Sequence, residues 1–291
     1  MKKGGVHRNR WLRWFSILAT GGLVLSLMAG CAAPGAQRHL GDDAFDDVLT
    51  GHRYLGPVEE QSIERIGFQR LPSATYRLTH SGEVQAEQVL ERWAVGATIR
   101  ETRTLIFDEF RLELSLNRGL TGRVYGVELK ALELKSGEPV SPEMRREAQE
   151  LATGLLAADF AYERSVLGKP LSVGQLIPWE VPDNFGALLQ DVYVDESTAN
   201  EINVGDLSIE GASRYLGVTQ TTYGEAAVFR EYGRSEIVVD GARHVVRGAG
   251  WRLIDRRTGA LIERDMRTKV DYGLGESVEP VYLNERLERI K

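Results

Sequence analysis

The sequence predicts an α+β fold, mainly antiparallel β, in which a curved sheet or half-barrel packs on one long amphipathic helix at about residues 141–162. Three observations carry this expectation. Apolar and polar residues alternate with period two in several segments beyond residue 100, the pattern of strands with one buried face. One stretch alone changes to three- and four-residue spacing. Glycine-containing turns separate the alternating segments and give hairpins rather than crossovers.

The first clear alternation runs from Thr104 to Leu116. Its even positions Ile106, Phe110, Leu112, Leu114 and Leu116 are apolar, and its odd positions Glu109, Arg111, Glu113 and Ser115 are polar. Asn117-Arg118-Gly119 then turns the chain into a second strand over Arg123–Leu134. The period switches after Pro139. Ser141 is placed to cap a helix with Pro142 at its first position, and Met144, Ala148, Leu151, Leu155, Ala158 and Tyr162 follow on one face. A loop-rich region from Gly168 to about Gly205 contains Trp179 between Pro178 and Pro182.

Four strands are expected beyond it, at Asp206–Thr222, Ala226–Val239, Arg243–Asp255 and Ala260–Tyr272. Gly259 between the last two suits a turn that needs positive φ. In that hairpin the expected shared face combines Val245, Ala249, Trp251 and Leu253 with Ala260, Ile262, Met266, Val270 and Tyr272. A helix between two sets of hairpins most simply lays its apolar stripe on the concave face of one sheet.

Charge and cysteine content narrow the function classes. The first 30 residues carry five of the 36 basic residues and no acid, leaving 31 basic against 42 acidic residues, a net of −11. So acidic a domain does not suit nucleic acid, whose phosphates need clustered Lys and Arg. One cysteine, Cys31, excludes an intramolecular disulfide and any multi-cysteine metal site.

The placement of that cysteine gives the compartment. A basic segment, MKKGGVHRNRWLRW, precedes an uncharged run of 16 residues from Phe15 to Gly30, with small residues Ala29 and Gly30 directly before Cys31. This order is that of an export signal. The run falls short of the roughly 20 residues that cross a bilayer as a helix. Leu27-Met28-Ala29-Gly30-Cys31 resembles the lipobox of bacterial lipoprotein precursors, with Met28 at the position where Leu is usual and Leu27 one residue earlier. The resemblance implies cleavage between Gly30 and Cys31, a diacylglyceryl thioether on Cys31 and an amide-linked acyl chain. It further implies a membrane-lipid anchor with the domain in the periplasm. Ala32 and Ala33 lack the Asp that retains such proteins in the inner membrane, which favours the outer membrane.

The expected organisation is a signal peptide over residues 1–30, a lipidated N-terminus and flexible tether over 31–51, and one mostly-β globular domain over 52–291. The acidic run Asp42-Asp43-Ala44-Phe45-Asp46-Asp47 reads as part of the solvated tether, because it lacks the ligand spacing of a calcium loop. By element order alone, the domain loosely resembles the half-barrel of lipid-carrier lipoproteins.

No catalytic motif is present. His39, His52, His80 and His244 form no zinc-binding spacing, and neither a Gly-x-Ser-x-Gly elbow nor a P-loop occurs. No enzyme activity, metal or cofactor is expected. The expected function is a binding or carrier module for an apolar ligand, with Trp93, Phe110, Trp179 and Trp251 as candidates to line an apolar cavity of several hundred cubic ångströms. The alternative is a structural or assembly lipoprotein that docks another envelope protein.

Overall fold

The computed structural model describes residues 45–50, 56–179, 208–239, 242–271 and 279–291. Its strands are β1 Leu71–His80, β2 Glu83–Val95, β3 Thr98–Phe107, β4 Phe110–Arg118, β5 Val124–Leu134, β6 Leu176–Pro178, β7 Ser208–Thr221, β8 Gly224–Val239, β9 Ala242–Asp255, β10 Leu261–Asp271 and β11 Val281–Arg289. Among the described residues two helices accompany them, α1 Asp46–Leu49 and α2 Pro142–Val166. All eleven strands form one open, curved antiparallel sheet in the order β5-β4-β3-β2-β1-β11-β10-β9-β8-β7-β6. Two meanders, β1–β5 and β6–β11, thus meet where the last strand pairs with the first, Leu78 opposite Leu287.

Helix α2 connects the meanders and packs across them. Ser141 Oγ accepts the Met144 N–H at 3.1 Å and Pro142 opens the helix, as the sequence predicts. Ala148, Ala152 and Phe160 pack with Phe107, Phe110, Leu112, Leu114 and Leu116 of the first meander. One turn on, Tyr162 and Val166 pack with Tyr215, Phe229 and Ile254 of the second. Burying these groups is the main drive that holds helix to sheet. Side chains of α2 also cover the β5 edge. The Gln149 carboxamide accepts the Leu129 N–H at 2.5 Å and donates to Val127 O at 3.3 Å, while Arg145 donates to the carbonyls of Leu129 and Lys130. An edge strand bonded in this way does not offer its full ladder to another chain.

Three expectations are corrected. The alternation from Thr104 to Leu116 is not one strand but a hairpin, turning at Asp108-Glu109 and pairing Leu105 with Leu112. The inward positions of β3 include Glu101 and Arg103, so its buried face does not read as apolar.

In the β9–β10 hairpin, Met266 pairs with Gly250 and Val270 with Val246. Both therefore lie on the face opposite Trp251. The register shifts between Leu261 and Glu263, and a bulge of one residue exchanges the faces of everything beyond it.

Third, part of the tether belongs to the fold. Phe45 and Val48 pack on the sheet face opposite α2 with Ala212, Tyr232 and Ala249. Asp47 is held by Arg247 at 3.0 and 2.9 Å and by Lys269 at 2.9 Å. Burial pushes the Asp47 carboxyl up, and the two cations overcome this and hold it below the usual value.

Candidate functional site

A groove of about 870 Å³ lies at the end of the sheet where the β4–β5, β7–β8 and β9–β10 turns meet residues 64–69. Local chemistry fixes its floor. Asp255 Oδ1 accepts the N–H groups of Arg257 and Thr258 at 2.8 and 3.0 Å, and Gly259 closes the turn at φ +66°. Gly67 donates its N–H to Arg256 O at 2.7 Å, so close that a Cβ there would stand 2.6 Å from Arg257 O. The walls alternate charge and apolar surface: Glu64, Arg65, Glu225 and Arg257 with Phe68, Leu120 and Tyr223. Arg256 is ion-paired to Glu225. Leu120 of the groove wall is 65% exposed, and Tyr125 of β5 is 64% exposed.

Behind the groove, the sheet face under α2 carries two buried ion networks. In the first, Glu101 accepts Arg92 Nε at 3.0 Å, Arg103 Nε at 2.7 Å and Arg118 Nη2 at 3.1 Å. Arg118 Nη1 reaches Glu163 of α2 at 2.5 Å and Gly122 O at 2.9 Å, while Arg92 Nη1 donates to Thr258 O at 2.5 Å. Phe68 lies 3.9 Å beneath the Arg92 guanidinium. The network thereby ties two groove turns to the core.

In the second network, Glu231 pairs with Arg252 at 2.7 Å and Arg264 at 2.8 Å. Trp179 Nε1 donates to Ser213 Oγ at 2.8 Å, and that hydroxyl donates to Glu231 at 3.3 Å. The Arg252 guanidinium stacks 3.9 Å from the Tyr162 ring. Burial raises both glutamates toward the neutral form, but the surrounding arginines outweigh it and hold each below the usual carboxylate value. Pairing of this kind is what charges in a core require.

Between the two networks, under the Tyr162-Glu163 turn of α2, lies a second cavity of about 90 Å³. None of Trp93, Phe110, Trp179 and Trp251 lines either cavity. Phe110 and Trp179 are buried in different core clusters, and Trp93 and Trp251 are half-buried on the opposite sheet face, opposite Arg100 and Asp265. Gly30 and Cys31 fall outside the described residues.

The residues that sequence reading missed are Arg92, Glu101, Arg103, Arg118, Glu231, Arg252 and Arg264. Their one legible signal is parity: in Ile99-x-Glu101-x-Arg103-x-Leu105-x-Phe107, two opposite charges occupy inward positions of a strand. Among the described residues no three His, Cys, Asp or Glu side chains are placed to hold a metal, and no helix is long and apolar enough to cross a membrane.

No family model and no curated protein matches the chain. Among solved structures, a protein from Bacteroides fragilis described as exported, with a YmcC-like fold, is similar at 8% identity over 77% of this chain and 97% of that chain, with a TM-score of 0.29.

Proposed function

We propose that this chain is a lipid-anchored protein of the bacterial envelope that docks an extended segment of another envelope protein in the groove at the end of its sheet. The observation that carries this reading is the groove itself. Its 870 Å³ match a ligand site in size. Its lining offers both signs of charge, aromatic rings and exposed Leu120, a mixture suited to a polypeptide rather than to an acyl chain. The carrier reading needs an apolar cavity of several hundred cubic ångströms between helix and sheet. One cavity between helix and sheet measures about 90 Å³ and is lined by four arginines.

Anchoring rests on the sequence around Cys31, and several acyl chains on one residue give lasting membrane attachment. The outer membrane, with the domain in the periplasm, is the location we propose. No enzyme activity is proposed.

Photo-cross-linking in intact envelopes tests the docking reading. A photoreactive residue at Leu120 is expected to give a discrete protein adduct that Arg257→Glu diminishes. The same probe at exposed Val84, at the far end of β2, is expected to give none. Equal adducts at both positions, or none at Leu120, would refute it. Cys31→Ala tests the anchor: the variant should lose acylation and leave the membrane fraction, and its retention as an integral protein would refute the lipobox reading.

A further inference from the structure

The small cavity under α2 is a meeting point of like charges. Arg92 and Arg103 of the first network and Arg252 and Arg264 of the second all line it, with Glu163 at its helix wall. Counting Arg118, the two networks hold five guanidiniums against the carboxylates of Glu101, Glu163 and Glu231. Glu285, buried on the same face opposite Met266, is a fourth carboxylate further along β11. Four guanidiniums and one carboxylate, that of Glu163, thus line the same small cavity.

The cavity wall also carries an unmet donor. Tyr76 is 2% exposed and its hydroxyl has no hydrogen-bond partner. Burial pushes this phenol up to about 12, against the opposing pull of Arg289, Arg92 and Arg103, so it stays a neutral O–H donor at any physiological pH. A buried donor left unpaired costs free energy that an acceptor in the cavity would recover. The volume corresponds to about three waters at liquid density. That space admits one oxyanion group and excludes a whole apolar molecule. The half-buried residues of its lining are Gln88, Glu163, Leu261 and Leu287.

We propose that this cavity is a binding site for a single oxyanion group, a phosphate, sulfate or carboxylate, held by the guanidiniums of Arg92, Arg103, Arg252 and Arg264 and by the Tyr76 hydroxyl. Guanidinium forks match such oxygens in charge and geometry. The group is either a free ion or the end of a larger molecule. This inference does not depend on the groove reading, because the two cavities share no lining residue.

The test is calorimetric titration of the mature chain with inorganic phosphate, sulfate and phenyl phosphate at constant ionic strength, with chloride as control. Arginine variants threaten the fold, so the variants are Tyr76→Phe and Gln88→Glu. The site predicts saturable binding of phosphate or sulfate that chloride does not reproduce. Tyr76→Phe should weaken it about tenfold, the worth of one charge-assisted hydrogen bond. That variant should keep or raise its ligand-free melting temperature, because the hydroxyl has no partner to lose. Gln88→Glu should weaken binding at least as much by repulsion. Tighter binding of phenyl phosphate than of inorganic phosphate assigns the site to the end of a larger molecule, and the reverse order assigns it to a free ion. Oxyanion binding no stronger than chloride, or affinities unchanged in both variants, would overturn the proposal.

Discussion

Replacing Glu101 by glutamine keeps the shape of the side chain and removes the negative charge on which three arginines converge. Glu101 and Arg118 are fully buried and Arg92 is 1% exposed, so water cannot take over the lost partner. Glu163 would still pair with Arg103 and Arg118, and the new amide would point an N–H toward a guanidinium. Removing one member of a buried ion pair costs about 3–5 kcal/mol. For a domain of this size, each kcal/mol lowers Tm by about 2–4 °C, so a fall of about 6–20 °C is expected. Urea unfolding of the mature domain at neutral pH, with calorimetry as a second probe, measures both quantities. The pH dependence adds an independent check. The arginines hold the Glu101 carboxyl far below its ordinary value of 4.5 in the folded state. Its contribution is therefore complete above that value and is lost as pH falls toward the folded one. The gap between wild type and Glu101→Gln should be constant from about pH 8 to 6 and narrow below about pH 4.5. A loss under about 1 kcal/mol, or a gap that widens on acidification, would refute the network's assigned role.

Other substitutions probe separate parts of the account. Gly250→Ala places a Cβ 2.0 Å from Asp265 O and 2.8 Å from Met266 Sδ, and should destabilise by about 3 kcal/mol or more in chemical denaturation, the upper range of overpacking. Ser141→Ala removes the α2 cap, and a loss of about 1 kcal/mol is expected from the same assay. Trp179→Phe leaves Ser213 Oγ without its indole donor in a fully buried chain of bonds, for an expected loss of about 1–3 kcal/mol. Gln149→Ala uncovers the middle of the β5 edge, and hydrogen exchange should show the Leu129 amide among the few that lose protection.

The fold was legible where each face of an element carries one kind of residue. β5, the Ser141 cap, the hairpin at Gly259 and the four later strands follow from alternation and turn chemistry. β2 and the first half of β3 were hidden because Arg92, Glu101 and Arg103 occupy inward positions, so binary patterning reads those segments as polar. The Leu261–Glu263 bulge defeats a parity count because nothing in the local sequence announces an extra residue. Phe45 and Val48 were too short a signal inside an acidic run to mark a helix that gains its stability by packing on the sheet. The candidate site was the least legible part. The groove is assembled from turns distant in sequence, and the arginine-lined cavity arises only when the β1–β11 pairing brings two separate networks together.

Native mass spectrometry of the chain purified from its own membranes tests the central claim most directly. The account predicts the mass of the polypeptide with its covalent acyl groups, no additional apolar lipid, and a co-purifying protein lost on Leu120→Asp. A non-covalently retained lipid, present in both wild type and Leu120→Asp, would contradict docking at the groove and restore the apolar-carrier reading.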